Sequence, residues 1–592
     1  MLKQASEKHV FLSCFTILSL FQVVLAASSE LFVDEAFYWL EGQHLAWSYS
    51  EVPGFLPWTL ALNEWLLPHH PFWLRLPGLL ALFSVPWLGM ILAKQISTNH
   101  QKPWSTGMLL LALPLLGISG TLAVADIWMV FFSLLSLLIW HRACQNQKPI
   151  YFLLLGLVLA VGINTHLRFW LIVMISCLVI FWVYRTDKES IFALLKLTFP
   201  VMLLGFFPIL IFNLSQDFPL LAFQLKDRHP WAFQASHFKF FVLQIIITTP
   251  LVFWLCLRTA ALLSSKFGKL DRPVRVLALI ASVHWLVYAI LGFYSDSLRL
   301  NLHWTLISYV LLLIVASTQL GQHNQKIFRW GVITGTAAHL GLLTTLIYWQ
   351  NLQDPKSQLN AQVTQNAIGW QQVSTYTDEV LNQHQASQVI ADNFMTLAQL
   401  RYYSDQQNII TVLPHPLNSK HGRDLQLKIM ELMHQPTDNS SLLVVEHSAL
   451  KLQQQIPFYQ QTCAQLGGMK LVDSLDLFAG IKTFHFFITG QGECQMPPII
   501  YHEKNAEKIS GWVLQAKNHI SQLEYLDPKG GSQQPVETSQ SALGSNELFK
   551  SLPQSDSYQL IHFTFDDTNP PNRPLQLLIN IEGKQIRSAR LN

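Results

Sequence analysis

Apolar residues fall in long unbroken runs up to about position 350, and there the pattern changes. Runs of membrane-spanning length occupy residues 10–28, 72–93, 105–122, 124–140, 150–165, 167–184, 191–212, 240–257, 274–293, 303–320 and 330–349. They predict a polytopic α-helical membrane part with about eleven transmembrane helices, the stretch 105–140 being the hardest to divide. Residues 350–387 are polar and Gln-rich. Ile368, Trp370, Val373 and Val380 lie at near-helical spacing there, which reads as an amphipathic connector. Strand-like runs at 389–391, 409–412 and 442–445 surround a helical pattern at 395–403 and predict an α/β unit to about position 490. Beyond it, alternation at 509–516, 558–565 and 575–581, with a Gly-rich turn at 528–532, predicts a small β-rich unit. The expected domains are 1–350, 351–490 and 491–592.

Charge changes the picture through its placement. Only 13% of residues are charged and the net charge is +3, so no basic stripe marks a nucleic-acid partner. With the N-terminus inside, the inner connections hold Lys3, Lys8, Lys94, Lys102, Arg142, Lys148, Arg185, Lys188, Arg258, Lys266, Lys269, Arg272, Arg275, Lys326 and Arg329. The outer ones hold Arg75, Arg168, Lys226, Arg228, Lys239 and Arg299. This positive-inside bias predicts a cytoplasmic N-terminus in a bacterial inner membrane and a periplasmic C-terminal domain. Leu25-Ala26-Ala27 resembles a small-residue cleavage site, but the many spans that follow favour a retained first helix. Of the six cysteines, only Cys463 and Cys494 fall in the exported part, where an oxidising compartment permits a disulfide between them. Neither zinc-type Cys/His spacing nor a Gly-rich phosphate loop is legible.

Topology gathers the candidate chemistry on one face. The first outer loop carries Asp34, Glu35, Glu41, Glu51 and Glu64, and later turns add Asp126, His166, Arg168, Lys226, Asp227, Arg228, His229, Asp296, Arg299, His303 and Trp304. A charge placed deeper than the bilayer edge would cost roughly 2.5–3.5 kcal/mol. Carboxylates and cations together at a lipid surface suit glycosyl transfer from a lipid-phosphate sugar. The acid orients a sugar hydroxyl or removes an acceptor proton, and Arg or Lys neutralises the departing phosphate. Outside the cytoplasm there is no nucleotide pool, and a polyprenyl-phosphate donor solves that supply problem.

Asp34-Glu35-Ala36-Phe37-Tyr38-Trp39 with Gly42-Gln43, then Glu51 and Pro53, resembles the first outer loop of the GT-C glycosyltransferases that include lipid A aminoarabinose transferases and protein O-mannosyltransferase relatives. Ala125-Asp126, the turn from Gly162 to Phe169, the loop Phe212 to Phe218 with Phe223-Gln224-Leu225 and Arg228-His229, and Asn301-Leu302-His303-Trp304 with Tyr309 follow in the family's order. The resemblance covers about residues 8–350. It implies a GT-C-type fold and sugar transfer from a polyprenyl phosphate, with inversion and with no catalytic metal required. Val52 departs from the pattern, since aminoarabinose transferases carry a Lys there that can meet the donor phosphate. Arg228, Arg168 or Arg299 would then take the phosphate, and the departure points away from identity with the aminoarabinose enzyme.

Each candidate has a plainer reading. Asp34 or Asp126 could cap a helix, and Glu35 could serve a helix dipole. Glu51 could be an ordinary loop acid, or a contact for substrate or metal. His166 and Arg168 could anchor at the membrane edge, Arg228 and His229 could be a solvated cluster, and His303-Trp304 could be an interfacial anchor. The expected assignment is Asp34 and Asp126 as catalytic carboxylates, with Glu35, Glu51, His166, Arg168, Arg228, His229, Arg299 and His303 binding substrate. The expected partners are the polyprenyl-phosphate sugar, membrane lipids and an envelope acceptor. A lipid or sugar transporter, or a non-catalytic envelope assembly protein, is the rival reading.

Overall fold

The structure is a computed structural model of the full chain. It describes residues 2–96, 103–228, 231–294, 302–319, 325–350, 361–436, 439–478, 480–490 and 492, together with the segments 494–504, 508–516, 521–526, 532–533, 537–541, 558–566, 576–581 and 584–587. Two compact units emerge. One comprises Met1–Ser29, Tyr38–Tyr348 and Lys420–Gln426; the other comprises Glu30–Phe37, Trp349–Ser419 and Leu427–Asn592. Each unit takes in one short segment from the other side of position 350, Lys420–Gln426 in the first and Glu30–Phe37 in the second.

The first unit is helical. It opens with α1 (Leu2–Ser28), α2 (Val33–Gln43), whose first turn counts with the other unit, α3 (Phe55–Leu66) and α4 (Pro71–Ile96). There follow α5 (Pro103–Leu111), α6 (Pro114–Thr121), α7 (Ala125–Asn146), α8 (Pro149–Ile163) and α9 (Leu167–Val183). Helices at Lys188–Ser215, Arg272–Tyr294, Leu302–Gln319 and Lys326–Gln350 come later. Each of the eleven expected runs falls on one of these helices or on a bent pair. Seven described helices are long and apolar enough to cross a membrane, or nine if each bent pair is one span. α8 and α9, with 15 and 17 residues, are shorter than a spanning helix usually is. The window Leu302–Gln319 is 72% buried and the window Lys188–Ser215 only 22%, so the first is central and the second turns most of its surface outward.

Two runs expected as straight spans are broken, for identifiable reasons. α5 and α6 meet at 69°, where Pro114 opens the second helix without an N–H to continue the first. Nδ1 of the buried His339 lies 2.9 Å from the Leu111 carbonyl left at that break, which satisfies a polar group lipid cannot. Lys239–Thr248 and Pro250–Ala261 meet at 107°, around Thr249 at φ +67° and Pro250. Helix Lys188–Ser215 contains a π-turn, Leu194–Thr198, close before Pro200, as expected where proline interrupts the ladder. It approaches α8 backbone to backbone. A Cβ at Gly205 would collide with the Ala160 carbonyl, and Asn164 Nδ2 donates to Gly205 O at 2.7 Å.

The described residues of the second unit form three sheets. β1 (Val389–Ala391), β2 (Ile410–Val412) and β3 (Leu442–Glu446) are parallel, and β4 (Met469–Leu477) with β5 (Lys482–Thr489) completes an order β2-β1-β3-β5-β4 by antiparallel pairing. The strand runs expected at 389–391, 409–412 and 442–445 are all present. The β4–β5 hairpin is new, because its strands are not marked off by simple alternation. Asn393 caps the helix Phe394–Tyr403, its Oδ1 accepting from the N–H of Met395 and Thr396. Two four-stranded antiparallel sheets follow and include Lys508–Ala516, Tyr558–Asp566 and Gln576–Ile581, so the β-rich tail is as expected. A disulfide joins Cys463 to Cys494.

Candidate functional site

Asp126 and Arg168 each occupy the second position of a helix, in α7 and α9. Val124 precedes α7 in an extended conformation and Asp126 is not its cap; a carboxylate in the first turn is nonetheless favoured by the helix dipole. A guanidinium in the first turn is disfavoured for the same reason and needs a partner. Arg168 NH1 donates to Asp126 Oδ1 at 2.9 Å, with both side chains largely buried. His303 Nε2 lies 3.7 Å from the same oxygen. The Trp304 ring, itself buried, lies 5.9 Å from the guanidinium carbons of both Arg168 and Arg228.

Arg228 closes a π-turn, Phe223–Asp227, a geometry that recurs at functional sites. Its NH1 donates to Gln224 Oε1 at 2.8 Å, and its guanidinium lies 5.9 Å from the Phe223 ring. Gln224 Nε2 in turn donates to the main-chain oxygen of Glu51 at 2.7 Å. The Glu51 carboxylate accepts from Arg423 Nε at 2.6 Å, and Arg423 lies over the Tyr38 ring. A continuous series of polar and aromatic contacts thus runs through Arg423, Glu51, Gln224, Arg228, Trp304, Arg168 and Asp126.

Beside Glu51 sits Glu41, fully buried, with no hydrogen-bond partner for either carboxylate oxygen among the described residues. Burial pushes its carboxyl well above the usual range, and the negative Glu51 adds to the effect against the pull of Arg423. Tyr49 is shifted upward by burial too, with Glu41 as a second cause.

The structure gathers five of the expected site residues in the helical unit: Asp126, Arg168, Arg228, His303 and, through Gln224, Glu51. His166 is close by but engaged, because it caps α9 with its Nδ1 accepting from Arg168 N at 3.0 Å. Arg168 is no snorkelling anchor, being turned inward to Asp126. Glu35 accepts from the N–H of Phe32 at 2.9 Å, tying down the start of α2, and Asp34 lies half-buried in the same first turn. Both belong to the Glu30–Phe37 segment of the other compact unit. His229 and Arg299 lie outside the described residues. Lys226 and Asp227 are exposed, so among the described residues of that charged run it is Arg228 that turns toward the site. Arg423 and Gln224 were missed as site residues. The motif resemblance contained Gln224 without a role for it, and no local pattern distinguishes Arg423 from other polar positions in its segment.

Two guanidinium groups around one indole can donate bidentately to phosphate oxygens, while Asp126 fixes one of them and limits the local excess of positive charge. No family model matches the chain. The lipid A galacturonosyltransferase RgtD of Rhizobium johnstonii is 28% identical over 143 residues, covering 24% of this chain and 29% of that relative, so the match spans less than a third of the relative's length. Among solved structures, ArnT from Cupriavidus metallidurans in the apo state superposes with a TM-score of 0.58 at 12% identity, over 82% of this chain and 98% of ArnT. ArnT bound to undecaprenyl phosphate gives 0.54 at 11% identity, over 80% and 97%. The fold is therefore shared: a polytopic helical membrane part followed by a sheet-containing part, in agreement with the GT-C resemblance of the loops.

Proposed function

We propose that this chain is an integral-membrane glycosyltransferase that moves a hexosyl or pentosyl unit from a polyprenyl-phosphate donor to an acceptor at the outer face of a bacterial inner membrane. Lipid A, another envelope glycan, a lipid and a protein are the acceptor classes. The observation that carries the reading is the pair Arg168 and Arg228, each 5.9 Å from the Trp304 ring, in a fold shared with a protein crystallised with undecaprenyl phosphate. The name of RgtD supports lipid A as the first acceptor to try. Positive-inside bias and the Cys463–Cys494 disulfide support a cytoplasmic N-terminus and a periplasmic C-terminal part.

In this reading the bond from the anomeric carbon to the phosphate oxygen breaks, and its electron pair leaves with the polyprenyl phosphate. Arg228 and Arg168 meet the new negative charge. An acceptor hydroxyl attacks the anomeric carbon and gives its proton to a carboxylate, with Asp34 assigned that role or the orienting of sugar hydroxyls. Asp126 holds Arg168 in place.

Membranes supplied with radiolabelled polyprenyl-phosphate sugars test the assignment. The native chain should transfer label, and Arg228→Ala should lose most of it. Equal transfer by the native chain and Asp34→Asn would remove Asp34 from its role. No transfer with any donor would favour a transporter or an assembly role.

A further inference from the structure

Residues 420–426 are separated from the last apolar helix by some 70 positions of polar sequence, yet they fold with the helical unit. Their attachment is dense. Ser50 Oγ donates to Gly422 O at 2.7 Å, and Ser50 N donates to Gln426 Oε1 at 3.0 Å. Arg423 is completely buried, with its Nε on Glu51 and its guanidinium over Tyr38. Gly422, at φ +73°, lies flat on Phe223, where an added Cβ would meet the ring at 2.5 Å. Burying an arginine completely is costly unless it is paired, and a surface tether would not require it.

Two separate routes lead from this segment to Arg228. Arg423 fixes the side chain of Glu51, whose main-chain oxygen holds Gln224, which accepts from Arg228. Gly422 sets the position of Phe223, over which Arg228 lies. Arg228 follows a π-turn and has five N–H donors, so its aim depends on these supports. We propose that residues 420–426 are a positioning element of the transferase site, with Arg423 and Gly422 aiming Arg228 at the donor phosphate. The proposal rests on the functional reading above. It assigns a part in phosphate binding to a segment the apolar pattern leaves outside the membrane part, and it makes Arg423 a positioning residue that touches no substrate.

The test measures binding of undecaprenyl phosphate to the full-length chain in nanodiscs. Native protein is compared with Arg423→Ala, Arg423→Lys, Gly422→Ala, Arg228→Ala and the double variant Arg228→Ala/Arg423→Ala. Arg423→Ala should weaken binding about tenfold, the effect of one misaligned charge-assisted contact. Lysine should not restore it, because it lacks the planar fork. Gly422→Ala keeps every charge and should weaken binding by a similar factor, which separates aim from net charge if Arg423→Ala folds poorly. In the Arg228→Ala background, Arg423→Ala should add nothing. Native-like binding by both Arg423→Ala and Gly422→Ala, with Arg228→Ala weakened, would overturn the proposal and leave the functional reading intact. An additive loss in the double variant would also overturn it. Unchanged binding in Arg228→Ala would remove the phosphate site, and this inference with it.

Discussion

Arg168 donates to Asp126 at 2.9 Å from the start of a neighbouring helix, and the two groups are the second residues of α9 and α7. Both are largely buried, so removing one strands the other. Asp126→Ala or Arg168→Ala should lower stability by about 3–5 kcal/mol, and a paired replacement by apolar residues of similar size should cost much less. Thermal unfolding in detergent with a full double-mutant cycle measures this. Additive single losses would mean that the pair is not coupled.

Glu41 supplies a pH signature. Its folded carboxyl titrates above the ordinary 4.5, because burial and the Glu51 charge both oppose ionisation. The folded protein keeps a proton that the unfolded chain gives up. The stabilisation is therefore complete below 4.5 and is lost as pH rises through the folded value. Glu41→Gln keeps the neutral shape and should flatten the fall in melting temperature as pH rises above about 5. An unaltered slope would show that Glu41 is already ionised in the fold.

In the sheet-bearing unit, His447 Nδ1 lies 2.9 Å from Tyr459 OH, His485 Nδ1 lies 2.8 Å from Ser474 Oγ, and the two imidazoles are 4.6 Å apart. Burial pulls His447 down to about 4, and burial with the neighbouring His447 pulls His485 well below its usual range. The unfolded chain takes up protons at 6.5 that the fold refuses. This stability is present above that value and drains away as pH falls toward 4. At about pH 5, His447 alone should account for a loss near 2 kcal/mol. Melting of the full chain followed from pH 7 to pH 5 checks it, and His447→Gln should remove part of the dependence.

The Cys463–Cys494 bond joins residues 31 positions apart. Cys463→Ser should destabilise the unit that contains it by about 2–4 kcal/mol. Non-reducing peptide mapping of protein purified from its native membrane should recover the cross-linked pair. Two free thiols there would argue against an oxidising compartment.

Much of the fold was legible because apolar length and strand alternation are local properties. Each expected span lands on a helix or a bent pair, and the strands at 389–391, 410–412 and 442–446 lie where alternation indicated. The breaks at Ala112-Leu113 and Thr249 were not legible. Hydropathy averages over a window and does not register that His339 waits across the bundle to donate to the carbonyl left at a helix end.

The sequence by itself determined that these carboxylates and arginines fall in the connections between apolar runs, since span length follows from residue order alone. Only the tertiary structure decided their partners. Hydrogen bonds act over about 3 Å irrespective of separation along the chain, so the pairing of Asp126 with Arg168, 42 positions apart, and of Glu51 with Arg423, 372 apart, exists only once the helices and the 420–426 segment have packed.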